Sequence, residues 1–283
     1  MFKHYLITRF NLRNPKWKTT KNDESLLSTA WMKERFWLFE NFCLPSITAQ
    51  TNQNFEWLIY LDTTTEALFK TRIEELTAQF SNIHLFFIDG MAEYHSSITD
   101  YISKDSVAFP HIITSRIDND DCISKYFIEE IQSKFNFQDY MAIDIIKGYS
   151  LEIKPAFRLG KKEHVFNPFI SLIEKNEKPK TVWMNEHQMW KKEDRIITVR
   201  NKRLWLSIIH QQNKVNEFDG YGNVNWEQIS NDFIVSKSMS QTIKENLIPE
   251  NKWRFLSFRN KWYVKSVLWS KILKKKIGIY KLK

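Results

Sequence analysis

The chain has 283 residues, a formal net charge of +9, 42% hydrophobic and 15% aromatic residues. That supplies enough apolar mass for one large domain, or a domain with an appendage, and excludes a disordered chain. No apolar run approaches the roughly 20 residues of a membrane span, and Tyr5-Leu6-Ile7 is too short for a signal peptide.

His4-Tyr5-Leu6-Ile7-Thr8-Arg9-Phe10 reads as a first strand, followed by a polar loop from Asn11 to Asp23 that contains Pro15. A helix is expected from about Leu27 to Phe42, aromatic on one side (Trp31, Phe36, Phe39), with Pro45 interrupting the next turn. A second strand, Asn54 to Asp62, ends in an acid, and Thr63-Thr64-Thr65 leads into a helix over Glu66–Phe80. Ile83 to Asp89 is a third strand, again ending in Asp. A polar segment from Gly90 to Asp105 then leads to Ile112-Ile113-Thr114-Ser115-Arg116-Ile117-Asp118-Asn119-Asp120-Asp121, a β-branched strand that ends in three carboxylates. An amphipathic helix (Phe127, Ile128, Ile131, Phe135) follows.

Apolar strands alternating with helices specify an α/β fold with a mostly parallel sheet, in which ligands sit at the carboxyl ends of the strands. Thr8, Arg9, Asp62, Asp89 and Asp118 all fall at such ends and are expected to converge on one crevice. Three acids in four residues repel one another. A divalent cation such as Mg²⁺ or Mn²⁺ resolves that repulsion, whereas the plainer alternative is a turn that caps the next helix. Neither a GxGxxG nor a GxxxxGK[ST] fingerprint is present, so phosphate must be held in another way. A metal on the carboxylates, helped by Arg9 or Arg116, fills that role. Cys43 and Cys122 give neither a metal-ligand spacing nor a disulfide framework, which suits a reducing, cytoplasmic compartment.

The chain resembles the nucleotide-diphospho-sugar glycosyltransferases of the GT-A fold, and within them the bacterial rhamnosyl transferase family. The matching residues are His4 to Phe10, Arg35-Phe36-Trp37-Leu38-Phe39-Glu40 leading to Leu44-Pro45, Gln50-Thr51 and Phe55. They continue with Arg116 to Asp121, Phe127-Ile128-Glu129, His187 within Asn185 to Trp190, and His210 with Asn213. The resemblance implies a DxD-type site. Asp118 would contact the ribose and metal region, Asp120 would ligate the metal on the diphosphate, and Asp121 would serve the metal or the acceptor. Asp62 would contact the nucleotide base or ribose, and His210 would complete the metal site. The donor would be UDP-, dTDP- or GDP-linked, and the acceptor a cell-surface glycan or a lipid-linked one. Transfer is expected to invert the anomeric carbon.

Tyr140 to Ile146 and Gly148 to Ile153 read as two strands, and Asn167 to Glu174 as an acceptor-side wall. A short helix starts near Asn185. Where related transferases carry a Glu-Asp pair there, this chain has Glu186-His187. His187, with an ordinary pKa near 6.5, can accept a proton from an acceptor hydroxyl at neutral pH, and Glu186 can do so or orient it. The expected organisation is a GT-A domain over 1–217, with a nucleotide-sugar half to about 125 and an acceptor half from about 126, and a basic helical extension over 218–283. The same residues also suit two other classes, a non-catalytic adaptor that kept the fold and a metal-dependent nucleotide-sugar hydrolase.

The positive charge is concentrated at the end of the chain. Residues 251–283 hold 11 of the 42 Lys and Arg and none of the 33 acids. A helical plot of 252–276 puts Phe255, Phe258, Trp262, Trp269 and Leu273 on one side. Such a segment suits an anionic membrane surface, with the inner membrane face as the expected place, or it packs its aromatics on the domain. No nucleic-acid module accompanies the charge, so nucleic acid is not the expected partner.

Overall fold

The computed structural model describes residues 1–14, 27–210 and 217–281. Most of the polar loop expected after the first strand, Pro15 included, and Asn213 lie outside the described residues.

Strand β1 (Phe2–Arg9) pairs in parallel with β2 (Glu56–Asp62) on one side and with β4 (His111–Arg116) on the other. β3 (Ile83–Ile88) extends the sheet beyond β2, giving the order β3-β2-β1-β4. The chain thus builds outward from β1, then returns across it to place β4, and the reversal leaves a crevice at the carboxyl ends of β1 and β4. The other half of the sheet is joined by β8 (Ser171–Lys175), antiparallel to β4 and to β6 (Tyr140–Glu152). β9 (Ile196–Ile209) runs parallel to β6, while β5 (Cys122–Ile123) pairs with β9 and β7 (Arg158–Glu163) with β6. The result is the expected α/β fold with a parallel block flanked by helices, joined to a second half whose pairings are mostly antiparallel.

On one face, α1 (Thr29–Leu38) runs through a π-helical turn, Phe39–Cys43, into α2 (Leu44–Thr48). Pro45 lacks the N–H that would continue the α-helical ladder, which accounts for the change of pitch just before it. Phe36 and Phe39 of this element meet Phe10 and Trp57 at ring separations of 4.9 and 5.7 Å. α3 (Ala67–Thr77) and α5 (Phe127–Gln132) bury Phe69, Ile73, Phe127, Ile128 and Ile131 in the same core. The opposite face is covered by α4 (Tyr94–Asp105), which buries Tyr94, Ile98 and Ile102. That helix corrects the expectation of a polar segment. Its apolar stripe is one residue wide, at every fourth position, and the surrounding Ser, Thr, Asp and Lys mask it in composition.

Two further expectations change. The pair of strands over 140–153 is a single strand, β6, with register shifts against β9 on either side of Lys147. The second half of the expected acceptor wall over 167–174 belongs to β8, buried in mid-sheet. Beyond the sheet, α6 (Trp226–Ile229) and α7 (Lys237–Asn246) pack Trp226, Ile229, Met239 and Ile243 against Leu38, Phe42, Leu151 and Leu206. α8 (Arg254–Lys276) lies along β7. Among the described residues no helix is long and apolar enough to cross a membrane.

The β6–β9 seam carries β9 toward the crevice. Trp205 donates its indole N–H to the Ile145 carbonyl at 2.7 Å and stacks on Phe169. A Cβ added at Gly148 would lie 2.1 Å from Trp205 Cδ2 and 2.4 Å from its carbonyl oxygen, far inside contact distance. Gly148→Ala therefore forces β9 to move. We expect a loss of about 1–3 kcal/mol or more in urea unfolding, together with weakened protection of β9 amides in hydrogen exchange.

Candidate functional site

β1 and β4 deliver Arg9 and Arg116 to neighbouring positions at the crevice. Both guanidinium groups lie over the ring of Trp183, at 5.5 Å for Arg9 and 3.8 Å for Arg116. Tyr94, from the start of α4, supports the same ring edge-on at 5.1 Å. Trp183 is presented by a backbone held under strain. Thr181 is β-branched yet sits at φ +65°, and it is kept there by Glu174, which accepts from the Thr181 N–H at 2.8 Å, and by Thr114, whose hydroxyl accepts from the Val182 N–H at 2.8 Å.

Arg116 is 3% exposed, and its Nε and Nη1 have no hydrogen-bond partner among the described residues. Burial lowers its pKa from the ordinary arginine value, while the nearby Asp118 charge works the other way. A cation–π contact returns about 0.5–2 kcal/mol, whereas the effective penalty for burying an ion is several kcal/mol. Stacking on Trp183 does not balance that penalty.

The acidic turn handles its three carboxylates differently. Asp120 Oδ2 accepts from Arg35 Nη1 at 2.5 Å and lies 3.1 Å from His210 Nε2. Burial alone would raise its pKa, but the Arg35 charge and the His210 contact outweigh it and hold the carboxyl far below its usual range. Asp121 is buried and accepts from the Ile208 N–H at 2.9 Å. Burial first, then the Asp120 and Asp118 charges, push its pKa well above the carboxylate range. It ties β9 to the turn rather than facing an acceptor. Asp118 is the partly exposed member.

The ligand set expected for a metal, Asp118, Asp120 and His210 with Asp121 alongside, is not gathered into one. Among the described residues no three His, Cys, Asp or Glu side chains are grouped to hold a metal ion. Asp120 Oδ2 is already shared by Arg35 and His210, so a cation would have to displace a guanidinium to reach that oxygen. The expected residues do not fit a metal in this arrangement. Arg35 is the residue that sequence reasoning left without a role, although a lone arginine within the aromatic run Arg35-Phe36-Trp37 marked it.

Asp62 and Asp89 form a separate pair with Arg13. Asp62 is 1% exposed and accepts from Arg13 Nε at 2.8 Å, the Arg13 N–H at 2.9 Å and the Thr64 hydroxyl at 2.6 Å. Burial opposes ionisation, yet the Thr64 and Arg13 hydrogen bonds hold its pKa below the ordinary value. Exposed Asp89 pairs with the same guanidinium. Thr8, expected at the donor, is a correction. It has no exposed surface, and its hydroxyl accepts from the Trp57 indole at 2.9 Å inside the core, because side chains alternate along β1 and only Arg9 turns toward the crevice.

Glu186 and His187 enter from a short 3-10 helix, His187–Lys192, with exposed Glu186 at its N-cap. His187 Nδ1 lies 2.9 Å from the Phe166 carbonyl. A carbonyl only accepts, so Nδ1 carries the proton and Nε2 is left with a lone pair. Burial lowers the His187 pKa below its ordinary value; the Phe166 hydrogen bond opposes this and the Arg116 charge adds to it. The ring is thus neutral at pH 7. Phe166 itself sits at φ +59°, fixed by buried Asp144, which accepts the Phe166 N–H at 2.7 Å and the Asn167 amide at 2.9 Å. Asp144 positions His187 through a single residue, Phe166, and nothing in the sequence pattern distinguishes it from any other strand residue.

The family model described as "Putative rhamnosyl transferase" matches residues 3–220. The chain belongs to this family. The matched stretch covers every element that builds the crevice. No curated protein sequence matches the chain. Among solved structures, S. aureus TarS 1-349 is similar at 13% identity and a TM-score of 0.39, over 73% of this chain and 60% of that one. The same S. aureus protein in complex with UDP gives 12%, 0.40, 86% and 69%. HddC from Yersinia pseudotuberculosis gives 12%, 0.32, 74% and 90%. The chain therefore spans less than two thirds of the first of these. The family model, not these distant likenesses, carries the assignment.

The turn's charge balance is directly testable. Arg35→Met leaves a buried carboxylate without its cation, and we expect it to lower stability by about 3 kcal/mol in urea unfolding at neutral pH. Because Asp120 is depressed in the folded state, its contribution is full above the unfolded carboxylate pKa of about 4 and fades as the medium is acidified. The gap between parent and variant therefore narrows below about pH 4.

Proposed function

We propose that this rhamnosyl transferase family member transfers a sugar, rhamnose in keeping with the family description, from a nucleotide-diphosphate sugar to a glycan or lipid-linked acceptor, with inversion. The observation that carries the reading is the buried Arg116 guanidinium, whose unpartnered N–H groups suit a diphosphate. Arg9 lies on the same tryptophan and would share that load.

Bond breaking leaves the donor's negative charge on the diphosphate, and preorganised cations in a water-poor site stabilise it as it develops. Arg116 and Arg9 supply them in this reading. His187 Nε2 would take the proton from the attacking acceptor hydroxyl, and Glu186, exposed beside it, would orient that hydroxyl. One displacement at the anomeric carbon then inverts it. The donor would be UDP-, dTDP- or GDP-linked. Mn²⁺ or Mg²⁺ would reach Asp120 Oδ2 only if Arg35 released it, and comparing nucleotide-diphosphate affinity in Mn²⁺ and in EDTA measures whether either ion contributes. A cell-surface glycan or lipid-linked acceptor would place the reaction at the cytoplasmic face of a membrane.

A thermal-shift panel of UDP, dTDP and GDP, followed by calorimetry, tests the donor site. Arg116→Met is expected to weaken nucleotide-diphosphate binding by about 2–3 kcal/mol, roughly a hundredfold, with an unchanged melting temperature of the free protein or a higher one. Undiminished affinity would remove the diphosphate reading. For the base, His187→Asn should lower kcat by roughly 10²–10⁴. In the parent enzyme kcat should fall as pH drops through a His187 pKa below 6.5, the acid limb where the imidazole becomes protonated, and that limb should vanish in the variant. A limb that persists would assign the proton transfer to another group.

A further inference from the structure

The helical plot of the basic segment leaves open whether its aromatic side is buried or exposed, and the structure answers in a direction that has consequences. α8 anchors itself with its less apolar face. Ser257, Asn260, Val264 and Leu268 are buried. Asn260 donates to the carbonyls of Phe218 and Gly220 at 3.2 and 3.1 Å. Three lysines turn inward as well. Lys265 reaches Glu163 at 3.3 Å, Lys271 lies 3.0 Å from His164 Nε2, and Lys275 donates to the Lys191 carbonyl at 3.1 Å.

At 3.6 residues per turn the opposite side carries Phe255, Phe258, Trp262, Trp269 and Leu273. These are 83%, 62%, 62%, 74% and 51% exposed. Arg254 and Lys261 flank the stripe on one edge and Arg259 and Lys274 on the other, all exposed. A helix that buries asparagine and serine while exposing two tryptophans and two phenylalanines has its apolar surface reserved for something outside the domain.

We propose that the outward face of α8 is a docking surface for an anionic lipid bilayer, with the helix lying in the plane of the interface. Charge complementarity selects that occupant. Residues 251–283 contain 11 basic residues and no acid. A second copy of the chain placed stripe to stripe would bring two such segments together, and like charges would oppose it. Phosphate headgroups neutralise them instead. Trp and Phe suit the depth just below the headgroups, and the flanking lysines and arginines can extend to the phosphates while their stems cover apolar surface. The inference concerns a surface apart from the crevice and goes beyond the transfer reaction.

Co-sedimentation of the full chain with phosphatidylcholine vesicles containing 30% phosphatidylglycerol, against pure phosphatidylcholine, tests it. Binding to the anionic vesicles is expected, weakened by salt, with quenching of tryptophan emission by brominated lipid. The triple variant Phe258→Ser, Trp262→Ser, Trp269→Ser should lose roughly tenfold or more in partitioning and the quenching with it. Its melting temperature and nucleotide-diphosphate affinity should match the parent, which separates this surface from the donor site. Equal binding by the triple variant, absence of binding to anionic vesicles, or a parent dimer that the variant converts to monomer would each overturn the proposal. Tighter binding to a single-stranded oligonucleotide than to the vesicles would overturn it too.

Discussion

Three carboxylates within four residues have to share one buried turn at the end of β4, and the protein separates them by environment rather than by distance. Asp120 is neutralised by Arg35 with His210 beside it, Asp121 is pushed toward its protonated form by burial and by its neighbours, and Asp118 keeps contact with solvent and with the field of Arg116. The same carboxyl chemistry thereby serves three ends. Asp120 fastens α1 to the turn, Asp121 fastens β9 to it through the Ile208 amide, and Asp118 remains for the crevice. Were all three equally charged, their repulsion would open the junction on which both halves of the sheet meet.

This arrangement explains why the acidic motif was so visible in the sequence and its chemistry only partly so. A β-branched run ending in Asp118, Asp120 and Asp121 announces a strand end with a charge problem, and the positions of β1 to β4 follow from the same kind of signal. What resolves the problem is not local. Arg35 lies 85 residues away in an aromatic helix, where a single arginine reads as a solvated side chain. The expected cation at the turn is a divalent metal. In this structure it is a guanidinium.

Other gaps have equally physical origins. α4 was hidden because three buried residues at every fourth position, Tyr94, Ile98 and Ile102, suffice to dock a helix that is polar elsewhere. Trp183 and Asp144 act through a strained peptide and a buried carboxylate, features that depend on tertiary packing and leave no periodic trace. Thr8 shows the converse error. Placing a residue at a strand end does not say to which face it points, and one step along β1 separates the core hydroxyl of Thr8 from the guanidinium of Arg9.

The inward lysines of α8 connect the two surfaces of the molecule. Lys275 holds the carbonyl of Lys191 and Lys271 the ring of His164, while Lys281 pairs with Asp194 just beyond the 3-10 helix that begins at His187. The helix with the exposed aromatic stripe is therefore fastened to the segment that carries the candidate base. A bilayer engaged by that stripe would fix the height and tilt of His187 relative to the lipid, without any change in the crevice itself. A soluble glycan gains nothing from such a constraint. An acceptor hydroxyl on a lipid-linked glycan is confined to a layer of limited depth, and a base held at a fixed level over the surface meets it in far fewer wrong orientations.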